Sequence, residues 1–568
     1  MVIKLISETL MILGIDVGGT HTDAVLLDSR FDVVEWAKVL TNPDNLIDSF
    51  REAASRVLNG KNLTKLERIV LSTTMSTNAI VQNKVDRVGM ILAGGPGLAP
   101  EALHIDGNTH FVSGYMSHRG IEAAAVDESE VLEAAGRLKA SGIRHGGIVG
   151  KFSTRNPGLE LKIGNLIEKD FDHLSFGHRM SGNLNYPRRV ATTYLNAAIW
   201  SVYNRFVDNL LRFVGELGVT APVYILKADG GTSEIRQSAK YPVGTILSGP
   251  AASIMGILSL TGGKEDAVAL DIGGTTTDIA LFADGVPLLE PFGVTIAGRR
   301  TLVRGLKTRS IGVGGDSRVR WEEGELRIGP EREGPARAFG GPFPTPTDAM
   351  IVLGLTAMGN REKALEAMAE LAEEGKTSPG EMARIVYEKA CEIISGAVRE
   401  LLEEVNNKPV YTIHEILEGK IITPKVLFTV GGPAEAMAPR IGEHLGCPSR
   451  LPEHAMVANA VGAALARTTA EITLLADTEK KILTIVEEGL QQDIPGRFSR
   501  DDALFICRER LLERALKMGA READLVMEII EDQVFNMVRG FYTTGKNIRI
   551  KAQIKPGLIA RGQEGASR

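Results

Sequence analysis

Two short runs of aspartate, glycine and threonine carry the residue types of a phosphate-binding site. The first is Asp16-Val17-Gly18-Gly19-Thr20-His21-Thr22-Asp23, and the second is Asp271-Ile272-Gly273-Gly274-Thr275-Thr276-Thr277-Asp278. Six of the eight positions are identical, at an offset of 271 − 16 = 255 residues. Glycines that follow a strand let backbone N–H groups converge on an anion, and an aspartate can hold Mg²⁺. The two runs therefore predict two hairpins that bind the phosphates of one nucleotide.

Each run is expected to contribute the same set of groups. We predict that Asp16 and Asp271 act in catalysis and as metal ligands, and that Asp278 is a further catalytic carboxylate. The phosphates are expected to contact Gly18, Gly19, Thr20, Gly273, Gly274 and Thr275.

A third glycine turn, Gly431-Gly432, follows the apolar run 426–430 and is predicted to contact the adenosine. The sequence contains no GxxxxGK[ST] segment, which excludes a P-loop. The predicted cofactors are therefore ATP and Mg²⁺.

The elements that must position these residues are those of an α/β fold. The apolar run that starts at Met11 is predicted to be a buried strand, followed by strands over 22–28 and 33–41 and by a helix that Asn42-Pro43-Asp44 opens. A similar strand, 267–270, precedes the second run. The stretch after about 470 is predicted to be mostly helical, with a basic strand near 546–555.

Composition excludes several classes of protein. The chain has 568 residues, 43% of them hydrophobic, and 65 Lys and Arg against 71 Asp and Glu give a net charge of −6. This mild acidity argues against a nucleic-acid binder. The sequence has no apolar run long enough to span a membrane. Its three cysteines lack the spacing of a metal site, so a cytoplasmic protein without disulfides is expected.

The three-part pattern of two hairpins and a late glycine turn resembles the actin, sugar-kinase and heat-shock-chaperone ATPase superfamily. The resemblance implies two duplicated ribonuclease-H-like lobes of the actin-like ATPase fold, with an ATP cleft between them and a mostly helical C-terminal region. The expected divisions are 1–10 as a non-core N-terminal extension, 11–190 as the first lobe with substrate-side insertions, 191–460 as the second lobe with the phosphate-2 and adenosine motifs, and 461–568 as a return helix and C-terminal helical extension.

A narrower resemblance covers about residues 11–467, and it rests on an ordered series of motifs. Besides the two phosphate runs, the series comprises Thr73-Thr74, Thr77-Asn78-Ala79, Asn156-Pro157 with Glu160, Thr192-Thr193 with Asn196-Ala197, Asp229-Gly230-Gly231, Ser248-Gly249-Pro250-Ala251-Ala252, Ile311-Gly312 with Gly314-Gly315, and Pro344-Thr345-Pro346-Thr347-Asp348-Ala349. In this order the motifs resemble the hydantoinase/5-oxoprolinase family, in particular its ATP-dependent subunit, hydantoinase A.

The family resemblance implies an ATP-dependent hydrolase that opens cyclic amides such as 5-oxoproline or hydantoins. ATP would phosphorylate the amide carbonyl oxygen, and water would then attack the activated carbon. The expected substrate residues are Thr73, Thr74, Asn78, Asp229 and Gly230. A small-molecule substrate, a hydantoinase-B-like second subunit and a homo-oligomer are the expected partners, with no nucleic acid and no membrane.

The sequence departs from the family pattern mostly outside the nucleotide motifs. Leu71-Ser72-Thr73-Thr74 stands where the family often has His-Gly-Thr-Thr, and Asp316 replaces a glycine of a Gly-Gly-Gly-Ser segment. Two alternatives therefore stay open: a small-molecule kinase of the same superfamily, and an actin-like or chaperone-like ATPase whose output is conformational. The redox-activator branch requires cluster cysteines, which this sequence lacks.

Overall fold

The first hairpin shows why the chain folds as a layered α/β protein. A computed structural model describes residues 10–103, 105, 107–331, 333–407 and 421–559. The strand Met11–Val17 is buried from Ile12 onward, and the following strand, His21–Leu27, is buried from Thr22 onward. Continuous burial of this kind means that both faces of the sheet are covered. The predicted extension 1–10 lies, apart from Leu10, outside the described residues.

The described residues form strands throughout the chain. They are β1 (Met11–Val17), β2 (His21–Leu27), β3 (Val33–Leu40), β4 (Leu66–Thr73), β5 (Val88–Ala93), β6 (Thr109–Phe111), β7 (Tyr115–Met116), β8 (Glu122–Ala124), β9 (His145–Gly150), β10 (His173–Phe176), β11 (Val223–Leu226), β12 (Thr232–Glu234), β13 (Ala267–Ile272), β14 (Thr277–Ala283), β15 (Val286–Pro287), β16 (Thr295–Ile296), β17 (Arg299–Arg300), β18 (Thr308–Ile311), β19 (Val319–Glu322), β20 (Glu325–Ile328), β21 (Val426–Val430), β22 (Ser449–Arg450), β23 (Glu471–Asp477), β24 (Ile482–Ile485), β25 (Leu490–Asp493), β26 (Met527–Arg539) and β27 (Tyr542–Ile554).

Helices alternate with these strands. They are α1 (Leu46–Leu58), α2 (Met75–Val81), α3 (Glu128–Ala140), α4 (Gly158–Ile167), α5 (Tyr186–Glu216), α6 (Ile235–Ser238), α7 (Ser248–Thr261), α8 (Pro346–Val352), α9 (Arg361–Gly375), α10 (Pro379–Asn406), α11 (Ala434–Leu445), α12 (Ala458–Leu465) and α13 (Arg500–Lys517).

The chain divides into two compact units. Unit 1 comprises residues 1–251, 290–305 and 463–568, and unit 2 comprises 252–289 and 306–462. The lobe boundaries at residues 190 and 460 that the sequence predicted stay a prediction. The boundaries of the two compact units lie at other residues.

Unit 1 contains the first aspartate–glycine run, which joins two neighbouring strands, β1 and β2, inside a six-stranded sheet. The strand order is β12-β11-β4-β1-β2-β3, with β1 antiparallel to β2 and parallel to β4. Helices α1 and α5 cover the sheet, and Phe50 meets Phe213 edge to face with ring centroids 5.7 Å apart. A second sheet, β10-β9-β5-β6, packs against α3 and α4.

The C-terminal part of unit 1 corrects the prediction that helices would predominate after residue 470. The expected helix is present as α13 and the basic strand as β27, but β27 belongs to a five-stranded antiparallel sheet, β25-β24-β23-β27-β26, and α13 packs against that sheet. The helix ends at Lys517, and Gly519 has a positive φ of 88°. Apolar positions after that turn, such as Ile529, belong to strands, and residue spacing alone did not separate them from a continuing helix.

Unit 2 repeats the opening of unit 1. Its sheet has the order β15-β14-β13-β21-β22, with β18 also paired to β14, and the hairpin of β13 and β14 corresponds to that of β1 and β2. Helices α8, α9, α10 and α11 build the core with this sheet. An added Cβ at Gly462 would lie 2.3 Å from the carbonyl oxygen of Ala252, so the glycine permits α12 to pack closely on α7. The structure thus has the predicted mixed α/β class with a duplicated hairpin.

Candidate functional site

The two aspartate–glycine hairpins have the same backbone geometry. The N–H of Gly18 donates to the carbonyl of His21 at 3.0 Å, and the N–H of Gly273 donates to the carbonyl of Thr276 at 2.9 Å. In each hairpin the strands pair the two aspartates of the run across the ladder, Asp16 with Asp23 and Asp271 with Asp278. The sequence duplication is therefore also a duplication of structure, with an aspartate pair beside each glycine turn.

In the first hairpin, a lysine partner distinguishes the two carboxylates. The ammonium of Lys38 lies 2.7 and 2.9 Å from the carboxylate oxygens of Asp23. Burial raises the pKa of Asp23, and the charge of Lys38 opposes that shift. Asp16 is also buried, at 5% exposure. Asp23 thus forms an ion pair with the neighbouring strand, which fits a structural carboxylate.

In the second hairpin, the corresponding carboxylate holds a proton more readily. Burial and the nearby Asp271 raise the pKa of Asp278 to about 6, although Ser310 donates a hydrogen bond to it. Asp271 itself accepts a hydrogen bond from Ser253. The predicted catalytic role of Asp278 remains a prediction, and the geometry gives it a different environment from that of Asp23.

The hydroxyl groups within the runs divide into inward and outward sets. Thr22 is fully buried, with its hydroxyl 2.9 Å from that of Thr41, and Thr277 donates to the carbonyl of Val313 at 2.7 Å. Thr20 lies in the exposed turn. The inward threonines fix the hairpins, whereas the exposed Thr20 and Thr276 and the half-buried Thr275 keep their side chains accessible.

A loop that the sequence did not assign to the nucleotide site packs on the second glycine turn. The N–H groups of Gly315 and Asp316 donate to the carbonyls of Gly273 and Gly274 at 3.0 and 2.6 Å. An added Cβ at Gly274 would lie 2.7 Å from a carboxylate oxygen of Asp316. The only sequence signal for this loop was its family motif, in which Asp316 replaces a glycine.

The third glycine turn lies beside the second hairpin within unit 2. Strand β21 runs parallel to β13 and pairs Val430 with Asp271. Gly431 follows with a φ of 101°, and an added Cβ there would lie 2.2 Å from the carbonyl oxygen of Ile272. An added Cβ at Gly432 has no neighbour within 4 Å. The structure therefore brings Gly431 and Gly432 to the edge of the sheet where Asp271 lies.

Three of the predicted substrate residues lie beside the first hairpin. Strand β4 is parallel to β1, which sets Thr73 opposite Val17, and the N–H of Thr74 donates to the carbonyl of Val17 at 3.2 Å. Asn78 donates to the hydroxyl of Thr74 at 3.2 Å. Thr73 is buried, and its hydroxyl accepts from the N–H of Met75. Thr74 and Asn78 are therefore better placed than Thr73 to reach a ligand.

The other two predicted substrate residues lie in a separate turn of unit 1. The Asp229 carboxylate accepts from the N–H of Gly231 at 3.0 Å and from the hydroxyl of Thr469 at 2.8 Å, and Gly230 has a φ of 75°. Burial would raise the pKa of Asp229, but Lys227 and Arg304 hold it below its ordinary value. Asp229 lines a small cavity with these two cations.

A buried polar network connects motif residues that the sequence could not place. Glu160 is fully buried and accepts from the N–H of Gly150, the N–H of His178 and the Nδ1 of His178, at 2.8, 2.8 and 2.6 Å. Arg189 is fully buried and donates to Ser153, although an Arg-Arg pair in a sequence suggests solvent. Its neighbour Arg188 donates to the carbonyls of residues 292, 293 and 301. These contacts hold the fold around the sites.

The metal prediction concerns single carboxylates. No group of three or more His, Cys, Asp or Glu side chains suited to a metal ion occurs in the described ranges. Mg²⁺ commonly binds through one or two carboxylates, water and substrate phosphates, so Asp16 and Asp271 fit that donor set. No described helix is both long and apolar enough to cross a bilayer.

Comparison with known proteins bears on these motifs directly. The model of the hydantoinase/oxoprolinase N-terminal region matches residues 12–171, and the hydantoinase/oxoprolinase model matches residues 189–472. The chain belongs to the hydantoinase/oxoprolinase family. The resemblance that the motifs predicted is therefore confirmed, and the matched residues include both hairpins and the Gly431 turn.

Three proteins named for their enzymatic activity are similar in sequence to this hydantoinase/oxoprolinase chain. It is 24% identical to the caprolactamase subunit alpha of Pseudomonas jessenii over 63% of this chain, and 24% identical to the 5-oxoprolinase of Saccharomyces cerevisiae over 72%. The chain spans 57% and 33% of the lengths of these two proteins. It is also 25% identical to the acetophenone carboxylase gamma subunit of Aromatoleum aromaticum over 63% of this chain and 56% of that protein.

Solved structures agree on the fold. The ATP-dependent caprolactamase from Pseudomonas jessenii superposes with a TM-score of 0.75 at 19% identity, and a nucleotide-free acetone carboxylase with a TM-score of 0.71 at 18% identity. Each alignment covers 97% of this chain and 88% of the other. The fold of this family member is thus shared with both proteins over nearly its whole length.

Proposed function

We propose that this protein is an ATP-dependent hydantoinase/oxoprolinase-like enzyme that activates the carbonyl of a cyclic amide by phosphoryl transfer. The observation that carries the proposal is the pair of geometrically matched aspartate–glycine hairpins in a chain of the hydantoinase/oxoprolinase family. The names of two relatives, caprolactamase and 5-oxoprolinase, support a cyclic amide as the substrate.

The hairpins are proposed to bind the phosphates of ATP. Backbone N–H groups near Gly19 and Gly274, with the hydroxyls of Thr20 and Thr275, would donate to phosphate oxygens. Asp16 and Asp271 would hold Mg²⁺, which supplies neutralising charge to the phosphates when it is bound. The turn at Gly431 would contact the adenosine.

The proposed reaction has three steps. The amide carbonyl oxygen forms a bond to the γ-phosphorus, the bond from that phosphorus to the bridging oxygen breaks, and ADP leaves. Water then adds to the activated carbon, the C–N bond breaks as nitrogen takes up a proton, and a second water releases phosphate. The attacking oxygen carries no proton, so positioning and electrostatics contribute more than a strong base to the first step.

A second polypeptide is proposed to complete ring opening. Two relatives are named as subunits, caprolactamase subunit alpha and acetophenone carboxylase gamma subunit. We therefore propose a hydantoinase-B-like partner, with slow, uncoupled ATP hydrolysis by this chain alone. Purified protein with Mg·ATP and candidate lactams tests this when phosphate release and ring opening are followed separately. Stoichiometric ring opening by this chain alone would refute the partner requirement.

The assignment of the hairpins is tested by Asp16→Asn and Asp271→Asn. Each substitution removes charge and keeps shape, and loss of one positioned electrostatic group typically costs about 10²–10³ in rate. Asp28→Asn is the control, because Asp28 accepts from the N–H groups of Arg30 and Asp32 in a turn at the far end of β2. Near-normal ATP turnover in both hairpin variants would contradict the assignment of Asp16 and Asp271 to the ATP site.

A second candidate function is ATP-dependent carboxylation of a ketone. The similarity to the acetophenone carboxylase gamma subunit favours this function. A ketone substrate, like a cyclic amide, offers a carbonyl oxygen for phosphorylation. A substrate panel of 5-oxoproline, hydantoin, a dihydropyrimidine, a sugar, and acetophenone with bicarbonate separates the candidates by which compound stimulates phosphate release. Stimulation by the sugar alone would favour a kinase, and turnover that no compound changes would favour a conformational ATPase.

A further inference from the structure

Two adjoining cavities of unit 1 are lined by more cationic than acidic side chains. The larger has a volume of about 650 Å³ and the smaller about 100 Å³, and Lys227, Glu487 and Arg514 line both. Five Lys and Arg side chains line the larger cavity against two Glu. The smaller cavity adds Arg304, Asp229 and Glu471.

Four acidic side chains line these cavities, and three of them, all except Glu488, have the following partners. Asp229 accepts from Gly231 and Thr469, as described above. Glu487 accepts from the N–H and the hydroxyl of Thr473, both at 2.7 Å. Glu471 pairs with Lys551 at 3.1 Å. These three acids therefore offer little to a further cation.

Two arginines of these cavities, Arg304 and Arg514, have hydrogen-bond donors that are unpaired within the described part of the chain. The Nη2 of Arg304 and the Nε of Arg514 are buried and have no hydrogen-bond partner among the residues that the structure describes. The Nη1 of Arg304 lies 3.7 Å from Asp229, beyond hydrogen-bond distance. Both guanidinium groups belong to residues that line the smaller cavity, so an anion bound there would lie beside two positive charges and would lower the cost of burying them.

The wall of the larger cavity includes a flat, uncharged surface. The rings of His173 and Trp200 stack with centroids 4.4 Å apart and planes at 9°. Burial, and next the charge of His145, lower the pKa of His173 to about 4, so its ring is neutral near pH 7. Thr245 also lines this cavity, and its hydroxyl lies 3.1 Å from that of Ser76 in α2.

We propose that these cavities bind the carboxylate of a small organic acid, with Arg304 and Arg514 as donors and the His173–Trp200 stack against the rest of the ligand. A planar guanidinium matches the geometry of a carboxylate, which favours this anion. The acid has two possible sources, a ring that carries a carboxylate or an open-chain acid such as a ring-opened product.

Calorimetric titration of the full chain without nucleotide tests the proposal. The ligands are 5-oxoproline, the uncharged ring 2-pyrrolidone, and the open-chain acid glutarate. We expect at least one carboxylate to bind more tightly than 2-pyrrolidone. Arg304→Gln and Arg514→Gln should weaken its binding by about 10- to 100-fold, the range for a hydrogen bond to a charged group.

Arg508→Gln is the matched control, because Arg508 is exposed on the same helix, α13, as Arg514. Preference for 5-oxoproline identifies a ring carboxylate, and preference for glutarate identifies an open-chain acid. Circular dichroism checks folding, and Arg514→Gln carries the test if Arg304→Gln does not fold. Equal binding of 2-pyrrolidone and the acids, binding of neither acid, or equal effects of Arg508→Gln and Arg514→Gln would overturn the proposal. Because nucleotide is absent, these results leave the ATP proposal untouched.

Discussion

Replacement of Gly431 by alanine should disturb the second hairpin, whereas the same change at Gly432 should not. The new Cβ at residue 431 would lie 2.2 Å from the carbonyl oxygen of Ile272 and 3.0 Å from a carboxylate oxygen of Asp271. Both positions belong to β13, whose backbone is held on two sides by β14 and β21. The clash therefore cannot be relieved by rotation of a flexible side chain.

Two costs add in the Gly431→Ala variant. A φ of 101° is strained for any residue with a Cβ, at about 1–3 kcal/mol. Forcing a methyl group into a packed site costs about 1–3 kcal/mol more. We expect the free energy of unfolding to fall by about 2–6 kcal/mol on these two terms, and we expect ATP affinity to fall because Asp271 shifts with its strand.

The assay is urea unfolding of both variants, followed by calorimetric titration with Mg·ATP. Gly432→Ala provides the matched control, because its Cβ would meet nothing within 4 Å. We expect the free energy of unfolding of this control to lie within about 0.5 kcal/mol of that of the unsubstituted protein, as is usual for a surface change. Equal stability and equal ATP affinity of the two variants would show that the close approach of β21 to β13 is not needed.

Three further predictions concern groups that the fold buries or clamps. Glu160→Gln should lower the free energy of unfolding at pH 7 by about 2–4 kcal/mol, because an amide cannot accept three hydrogen bonds as well as a carboxylate does. Burial would raise the pKa of Glu160, but His178 holds it below its ordinary value of 4.5. The carboxylate therefore contributes stability above that pH, and the deficit of the variant in urea unfolding should shrink as the pH falls below 4.5 and through the lowered pKa of the folded state. Arg188→Met should speed proteolytic cleavage within 290–305, whose carbonyls the arginine holds, and unchanged cleavage on gel analysis would contradict this. Burial raises the pKa of the Cys391 and Cys507 thiols to about 12, so both should resist a thiol reagent until the protein unfolds, and rapid labelling of native protein, located by mass spectrometry, would refute the burial.

The two aspartate–glycine hairpins could be predicted from the sequence because the information is local. A strand, an aspartate and a glycine turn within eight residues define a hairpin, and the recurrence of that run shows that it was duplicated. The order of short motifs was sufficient to predict the family. Parallel pairing of β4 with β1 and of β21 with β13 then brought Thr74 and Gly431 to the expected strand ends, as βα connections normally do.

Only the tertiary structure decided what surrounds those residues. Lys38 makes Asp23 an ion-paired carboxylate, whereas Asp278 lies near Asp271 and keeps its proton to higher pH. Arg304 and Arg514, which are far apart in the sequence, line one small cavity. Strand β23 pairs with β27, and helix α13 lies between them in the chain. The sequence of this region therefore predicted mostly helix, although a sheet forms there. Burial, charge environment and long-range strand pairing depend on which segments meet in space, and the spacing of residues along one segment does not contain that information.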